Sequence, residues 1–288
     1  MAATSSVPET SLIQSAPQPA RILHLWHLTS LDAPTVAVVW ALAFARAAHV
    51  ALPWWIPAIL ALGTWSVYVG DRLLDVYLAA RRNVGPLRER HHFHWRHRRL
   101  FLAFAAVATS LSLVLILRFM PIAARERNSG LALAALLYFT GVHGKWRLPA
   151  QLRISPKEPL VGAIFTLACA APTWARAGNR LELLPAVLCF TLLAWLNCHA
   201  IEVWESVDTP PSASIDALGT LLSAVCIASA GALGAFHLRG QTALLSAAAG
   251  SALLLALLDR RKDGLTPLSL RACADLALLT PAALLVLL

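Results

Sequence analysis

Apolar residues in this chain come in long runs separated by short polar stretches. Nine runs can be drawn, at about residues 33–52, 55–79, 100–119, 129–143, 159–174, 183–205, 215–237, 241–258 and 268–288. Most approach the ~20 residues that a helix needs to cross a bilayer. In hydrocarbon every backbone N–H and C=O must be satisfied internally, and a single segment achieves this only as a helix. Breaker residues sit at the joints: Pro53 after the first run, Pro121 after the third, Pro210-Pro211 after the sixth, and Gly264 with Pro267 before the ninth. The pattern predicts an all-α, polytopic membrane protein of about nine transmembrane helices. The fourth and fifth runs are short, so they either tilt less or are partly buried in protein.

Residues 1–30 are polar, rich in Ser, Pro and Ala, and lack a signal-peptide pattern. They read as a disordered cytoplasmic tail, leaving 31–288 as a single helical transmembrane domain. Composition agrees with that picture: 58% of residues are hydrophobic and 14% charged, against roughly 45–50% and about 25% in soluble domains. A soluble enzyme, a disordered chain and a disulfide scaffold are excluded. The five cysteines, Cys169, Cys189, Cys198, Cys226 and Cys273, all lie in or beside apolar runs without a CxxC pair. They read as small core residues.

The net charge of +9 would suit a nucleic-acid partner, but the basic residues fall between apolar runs rather than on a binding face. With nine spans, sixteen Lys and Arg residues lie on the side of the N-terminus and seven on the other, Arg72 being inside a run. The positive-inside rule then makes the N-terminus cytoplasmic and puts the C-terminus on the opposite side. The tryptophans near run ends, such as Trp54, Trp55, Trp95 and Trp174, suit an aromatic belt.

Carboxylates within apolar runs are costly and mark functional sites by default. In the second run Thr64, Tyr68, Asp71 and Asp75 follow helical spacing and form one polar stripe. Two carboxylates one turn apart repel unless a cation lies between them. Mg²⁺ takes such oxygens together with phosphate oxygens; the alternative is pairing with Arg72 and a loop arginine. The sixth run ends in Asn197, His199, Glu202, Glu205 and Asp208, of which the amide and the three acids share an arc of about 140°. This second acidic face has its own alternative, a solvated helix end. Together the two acidic clusters and the basic loops suggest a Mg²⁺-held diphosphate beside an apolar groove for a lipid tail.

Here the chain resembles the UbiA-type superfamily of intramembrane prenyltransferases. Asp71-Arg72-x2-Asp75 with its basic downstream loop is similar to the family's first acidic motif, without the leading Asn-Asp pair. The second motif is less regular. Lys145 and Arg147 resemble a Lys-Arg that the family places after its fourth helix, and Lys157 also fits. The resemblance implies helices around a central cavity. It also implies Mg²⁺-dependent transfer of a prenyl group from a prenyl diphosphate to an aromatic or lipid acceptor. Asp71, Asp75, Glu205 and Asp208 would be catalytic, and these with Glu202 would hold metal. Arg72, Lys145, Arg147 and Lys157 would bind diphosphate, and Thr64, Tyr68, Asn197 and His199 would line the substrate pocket. A non-catalytic, lipid-binding member is the alternative.

A third possibility comes from the run holding His91, His92, His94 and His97, dense enough for a transition metal or haem. The competing reading is a basic amphipathic segment with Phe93 and Trp95 at headgroup level.

Overall fold

The computed structural model describes residues 18–82, 89–143, 157–205 and 214–287. Among them the chain is helical throughout, with no strands. The helices are α1 (Gln18–Leu28), α2 (Asp32–Ala47), α3 (Trp55–Arg82), α4 (Glu89–Arg96), α5 (Arg98–Phe119), α6 (Ile122–His143), α7 (Lys157–Trp174), α8 (Leu184–Glu205), α9 (Ile215–Ala235), α10 (Arg239–Arg261), α11 (Pro267–Ala277) and α12 (Ala282–Leu287). Each of the nine apolar runs carries a helix. Length and hydropathy suffice for a membrane crossing in four segments: Arg98–Phe119, Leu181–Glu205, Ile215–Ala235 and Arg239–Gly264. A fifth is available if α1 and α2, which meet at 89°, count together as one broken span.

The outward surface of α5 suits contact with lipid. Leu102, Phe104, Val107, Leu113, Val114 and Leu117 all stand more than half exposed. An apolar patch of that extent has no place on a soluble monomer.

The main core sits between α2, α8 and α10, around Trp40, Phe44, Phe190, Leu193, Leu244, Leu245 and Leu255. Trp40 stacks on Phe190 with centroids 3.8 Å apart. Its indole N–H donates to the Leu278 carbonyl at 2.9 Å, so a buried tryptophan keeps its polar edge satisfied and ties α2 to the end of α11. Small residues bring helices close. A Cβ on Gly219 would lie 2.7 Å from the Ala252 carbonyl across the α9–α10 pair, and one on Gly162 would lie 2.8 Å from the Trp195 nitrogen across α7–α8. Such contacts are the main packing device where lipid tails are as apolar as the helices.

Two details depart from the linear reading. The stretch assigned to a tail includes α1, whose His24 and His27 are buried. The first apolar run also begins at a sharp bend rather than a straight helix start. Ser30 adopts φ 60° there, a left-handed conformation that costs a non-glycine residue roughly 1–2 kcal/mol. The cysteines are all unpaired; Cys169, Cys189 and Cys226 are buried as expected, and Cys198 and Cys273 are half-buried.

Candidate functional site: a polar nest at a broken helix

The α1–α2 bend leaves backbone and side-chain polar groups in an apolar interior, and neighbouring helices supply their partners. Trp65 of α3 donates its indole N–H to the Thr29 carbonyl at 2.9 Å. Arg72, 3% exposed, reaches in from the same helix and donates to Ser30 Oγ. Ser30 in turn lies 3.0 Å from His94 Nε2, and His94 Nδ1 lies 2.8 Å from the Arg90 carbonyl. Because that carbonyl only accepts, Nδ1 carries the hydrogen and Nε2 accepts from the serine hydroxyl. The chain of donors therefore runs from Arg72 through Ser30 and His94 to Arg90, and it requires a neutral His94. Burial and the positive charges of Arg72, His91 and Arg90 agree, holding the His94 imidazole down at about 4.

On the other side of the bend, Asp32 opens α2 and accepts from the Ala33 N–H at 2.9 Å, a favourable place for a carboxylate at a helix N-terminus. His27 Nδ1 lies 2.7 Å from Asp32 Oδ2 and 3.4 Å from Asp275 Oδ2 of α11. Arg72 approaches Asp32 Oδ2 to 4.0 Å. Asn197 of α8 donates through Nδ2 to Asp275 Oδ1 at 3.1 Å. Tyr68 of α3 lies within electrostatic reach of Asp32, Asp275, Cys198 and Arg72, with the Arg72 guanidinium 5.7 Å from its ring centroid. Six helices, α1, α2, α3, α4, α8 and α11, thus contribute to one polar interior.

The residues expected from sequence distribute around this nest in different ways. Tyr68 and Asn197 belong to it. Thr64 is half-buried on the same helix as Tyr68. Asp71 is half-buried, while Asp75, with its side chain 42% exposed, lies 3.4 Å from His91 Nε2. Glu205 is paired with Arg271 of α11, and Glu202 is exposed. His199 Nδ1 donates to Glu158 Oε2 of α7 at 2.9 Å, and its ring stacks on Trp195. Arg72, expected at a diphosphate, is instead committed to Ser30 and Asp32, because burial of Asp32 demands a cation. Lys157 begins α7, and Asp208, Lys145 and Arg147 lie outside the described residues.

The histidine run also divides. His91 and His94 are buried against Asp75 and Ser30, His97 Nδ1 bonds the Phe93 carbonyl at 3.0 Å, and His92 is exposed. Phe93 packs beside Val69, Leu73 and Phe101, while Trp95 is 36% exposed. The basic helix α4 is therefore docked on α3 and the bend. A cavity of about 330 Å³ lies elsewhere, between Trp55, Leu60, Ile116, Met120 and Ala168. Leu60 is eleven residues before Asp71, which puts the cavity roughly 16 Å from that acid along α3.

His27, Asp32 and Asp275 are the residues that periodicity missed. A signal was present: Asp275 is a carboxylate inside the ninth apolar run and Asp32 opens the first. Each is a lone acid, and only the fold brings them together. Compared with known proteins, the chain matches no family model, no curated protein and no solved structure.

Proposed function

We propose that this chain is a divergent UbiA-type intramembrane prenyltransferase, with nine spans, a cytoplasmic N-terminus and its C-terminus on the opposite side. In this reading it transfers a prenyl group from a prenyl diphosphate to a hydrophobic aromatic or lipid acceptor. The observation that supports it best is the approach of α3 and α8 through α11. Asn197 of α8 donates to Asp275, and Tyr68 of α3 lies within electrostatic reach of the same carboxylate; in each of these two helices the acidic residues follow towards the C-terminal end.

Magnesium suits the donors available. Asp71 and Asp75 offer hard oxygens one helical turn apart, and the partly exposed Asp75 faces a histidine whose pKa burial lowers, so a cation can take that place. Mg²⁺ bound there supplies neutralisation of the charge that develops on a leaving diphosphate. Glu202, Glu205 and Asp208 serve a second ion or the acceptor. Lys145, Arg147 and Lys157 are assigned to the diphosphate oxygens, and Arg72 to holding α3 against the bend.

The deciding experiment incubates the purified protein with Mg²⁺, a radiolabelled prenyl diphosphate and quinone-type or lipid acceptors, and measures diphosphate release and labelled product. Turnover that survives Asp71→Ala sinks the reading. A second reading, a non-catalytic lipid-binding member of the same superfamily, is favoured by the pairing of Glu205 with Arg271 and of Asp75 with His91. Absence of Mg²⁺-dependent binding of the diphosphate selects it.

A further inference from the structure

The nest at the α1–α2 bend holds a group of donors that the acidic motifs do not use. We propose that His27 Nδ1, Asp32 Oδ2 and Asp275 Oδ2 form a binding site for a first-row transition-metal dication of the zinc, manganese or iron(II) class. Their ligand atoms lie within 4.8 Å of one another, with Nδ1 2.7 and 3.4 Å from the two oxygens. A tetrahedral ion with bonds of about 2.0–2.2 Å needs ligand atoms roughly 3.4 Å apart; Nδ1 and Asp275 Oδ2 already stand at 3.4 Å, and Nδ1 and Asp32 Oδ2, at 2.7 Å, would part on binding.

A second observation comes from the histidine itself. His27 is 1% exposed, and Nδ1 meets neither carboxylate at hydrogen-bonding geometry although it faces both. Nδ1 thus stands 2.7 and 3.4 Å from two carboxylate oxygens without completing an N–H···O bond to either. Asn197, 7% exposed, has its Nδ2 on Asp275 while its Oδ1 has no hydrogen-bond partner. The supporting contacts are those that orient metal ligands: Ala33 N–H and Arg72 on Asp32, and the Asn197 amide on Asp275.

Charge and donor type set the class. Two carboxylates facing one another in a buried site call for a cation, and Arg72 offers a single positive charge from the Asp32 side at 4.0 Å. One imidazole with two carboxylates suits zinc, iron and manganese, whereas the all-oxygen pair Asp71 and Asp75 suits magnesium. Bound there, the ion clamps three elements: the end of α1, the start of α2 and the last turn of α11. The site does not depend on prenyl transfer and is tested without it.

The full chain is purified in detergent and its metal content measured by mass spectrometry. The same protein, stripped with EDTA, is then titrated with Zn²⁺ or Mn²⁺ while its unfolding temperature is followed. The expected result is about one dication per chain, lost in His27→Gln and in Asp275→Asn but retained in Asp71→Asn and Asp75→Asn. Re-addition of Zn²⁺ to the stripped wild-type protein should raise its unfolding temperature by about 5 °C or more. A metal-free wild-type protein that shows no shift with either ion overturns the proposal and identifies the group as an imidazolium held between two carboxylates. Metal retained by both nest variants, or lost only in the Asp71 and Asp75 variants, overturns it as well. If the nest variants fail to fold, the wild-type titration alone decides. Metal at the nest without any prenyl transfer leaves this inference standing and removes the proposed activity.

Discussion

Two acidic regions lie a few turns apart in this molecule, and they differ in how their charge is held. At the end of α3, Asp75 has its side chain 42% exposed and faces His91. At the α1–α2 bend, Asp32 is 2% exposed and is enclosed by a helix N-terminus, a histidine and an arginine. A carboxylate in contact with water exchanges its counter-charge at little cost, because solvent covers each intermediate arrangement. A buried one does not, since removing its partner strands a charge in low dielectric. The first region can change its counter-charge readily, and the second keeps one arrangement.

The largest expected effect breaks the second region. Arg72→Ala should destabilise the protein by about 3–5 kcal/mol, read as a shift in the unfolding midpoint in detergent; a loss below about 1 kcal/mol would mean that Asp32 is not held as a buried ion. Next in size, and aimed at the first region, Asp71→Asn and Asp75→Asn should each lower Mg²⁺-dependent prenyl transfer by about 100-fold or more, the scale of several kcal/mol of metal-borne charge stabilisation.

A pH titration sharpens the boundary between the two. His94 lies in the donor chain beside Ser30, Arg72, Arg90, His91 and Phe101. Its imidazole is depressed from 6.5 to about 4, so the unfolded chain takes up the proton first. Its contribution is complete above about pH 6.5, is lost as pH falls from 6.5 towards 4, and levels off below. His91, lowered by burial, adds in the same direction. The unfolding midpoint of the wild-type protein should fall across that window, and His94→Gln should flatten the curve; an unchanged curve would place protonation elsewhere. The smallest effect belongs to Asp75→Asn, whose cost to stability should stay under about 1 kcal/mol even where transfer is lost. A larger cost would erase the distinction between the regions.

Legibility from sequence followed the same division. Period and breakers placed a helix on every apolar run, because in such segments hydropathy and backbone satisfaction point to one answer. Tyr68 and Asn197 were found as polar residues on apolar faces. Its neighbours in sequence, Asp71 and Asp75, assign Arg72 to the motif, and the fold adds a contact that spacing does not show: its guanidinium answers a carboxylate forty residues earlier in the chain. His27, Asp32 and Asp275 were invisible as a group for the same reason: their pairing spans nearly the whole chain and leaves no local spacing. The bend itself was hidden by Ser30, a residue whose left-handed φ no hydropathy pattern marks.

That bend has a consequence for biosynthesis. The partners that satisfy it, Trp65, Arg72 and His94, are all translated after it, and Asp275 is made close to the end of synthesis. The bend therefore leaves the ribosome with its polar knuckle unfinished, and it is completed only as later helices arrive.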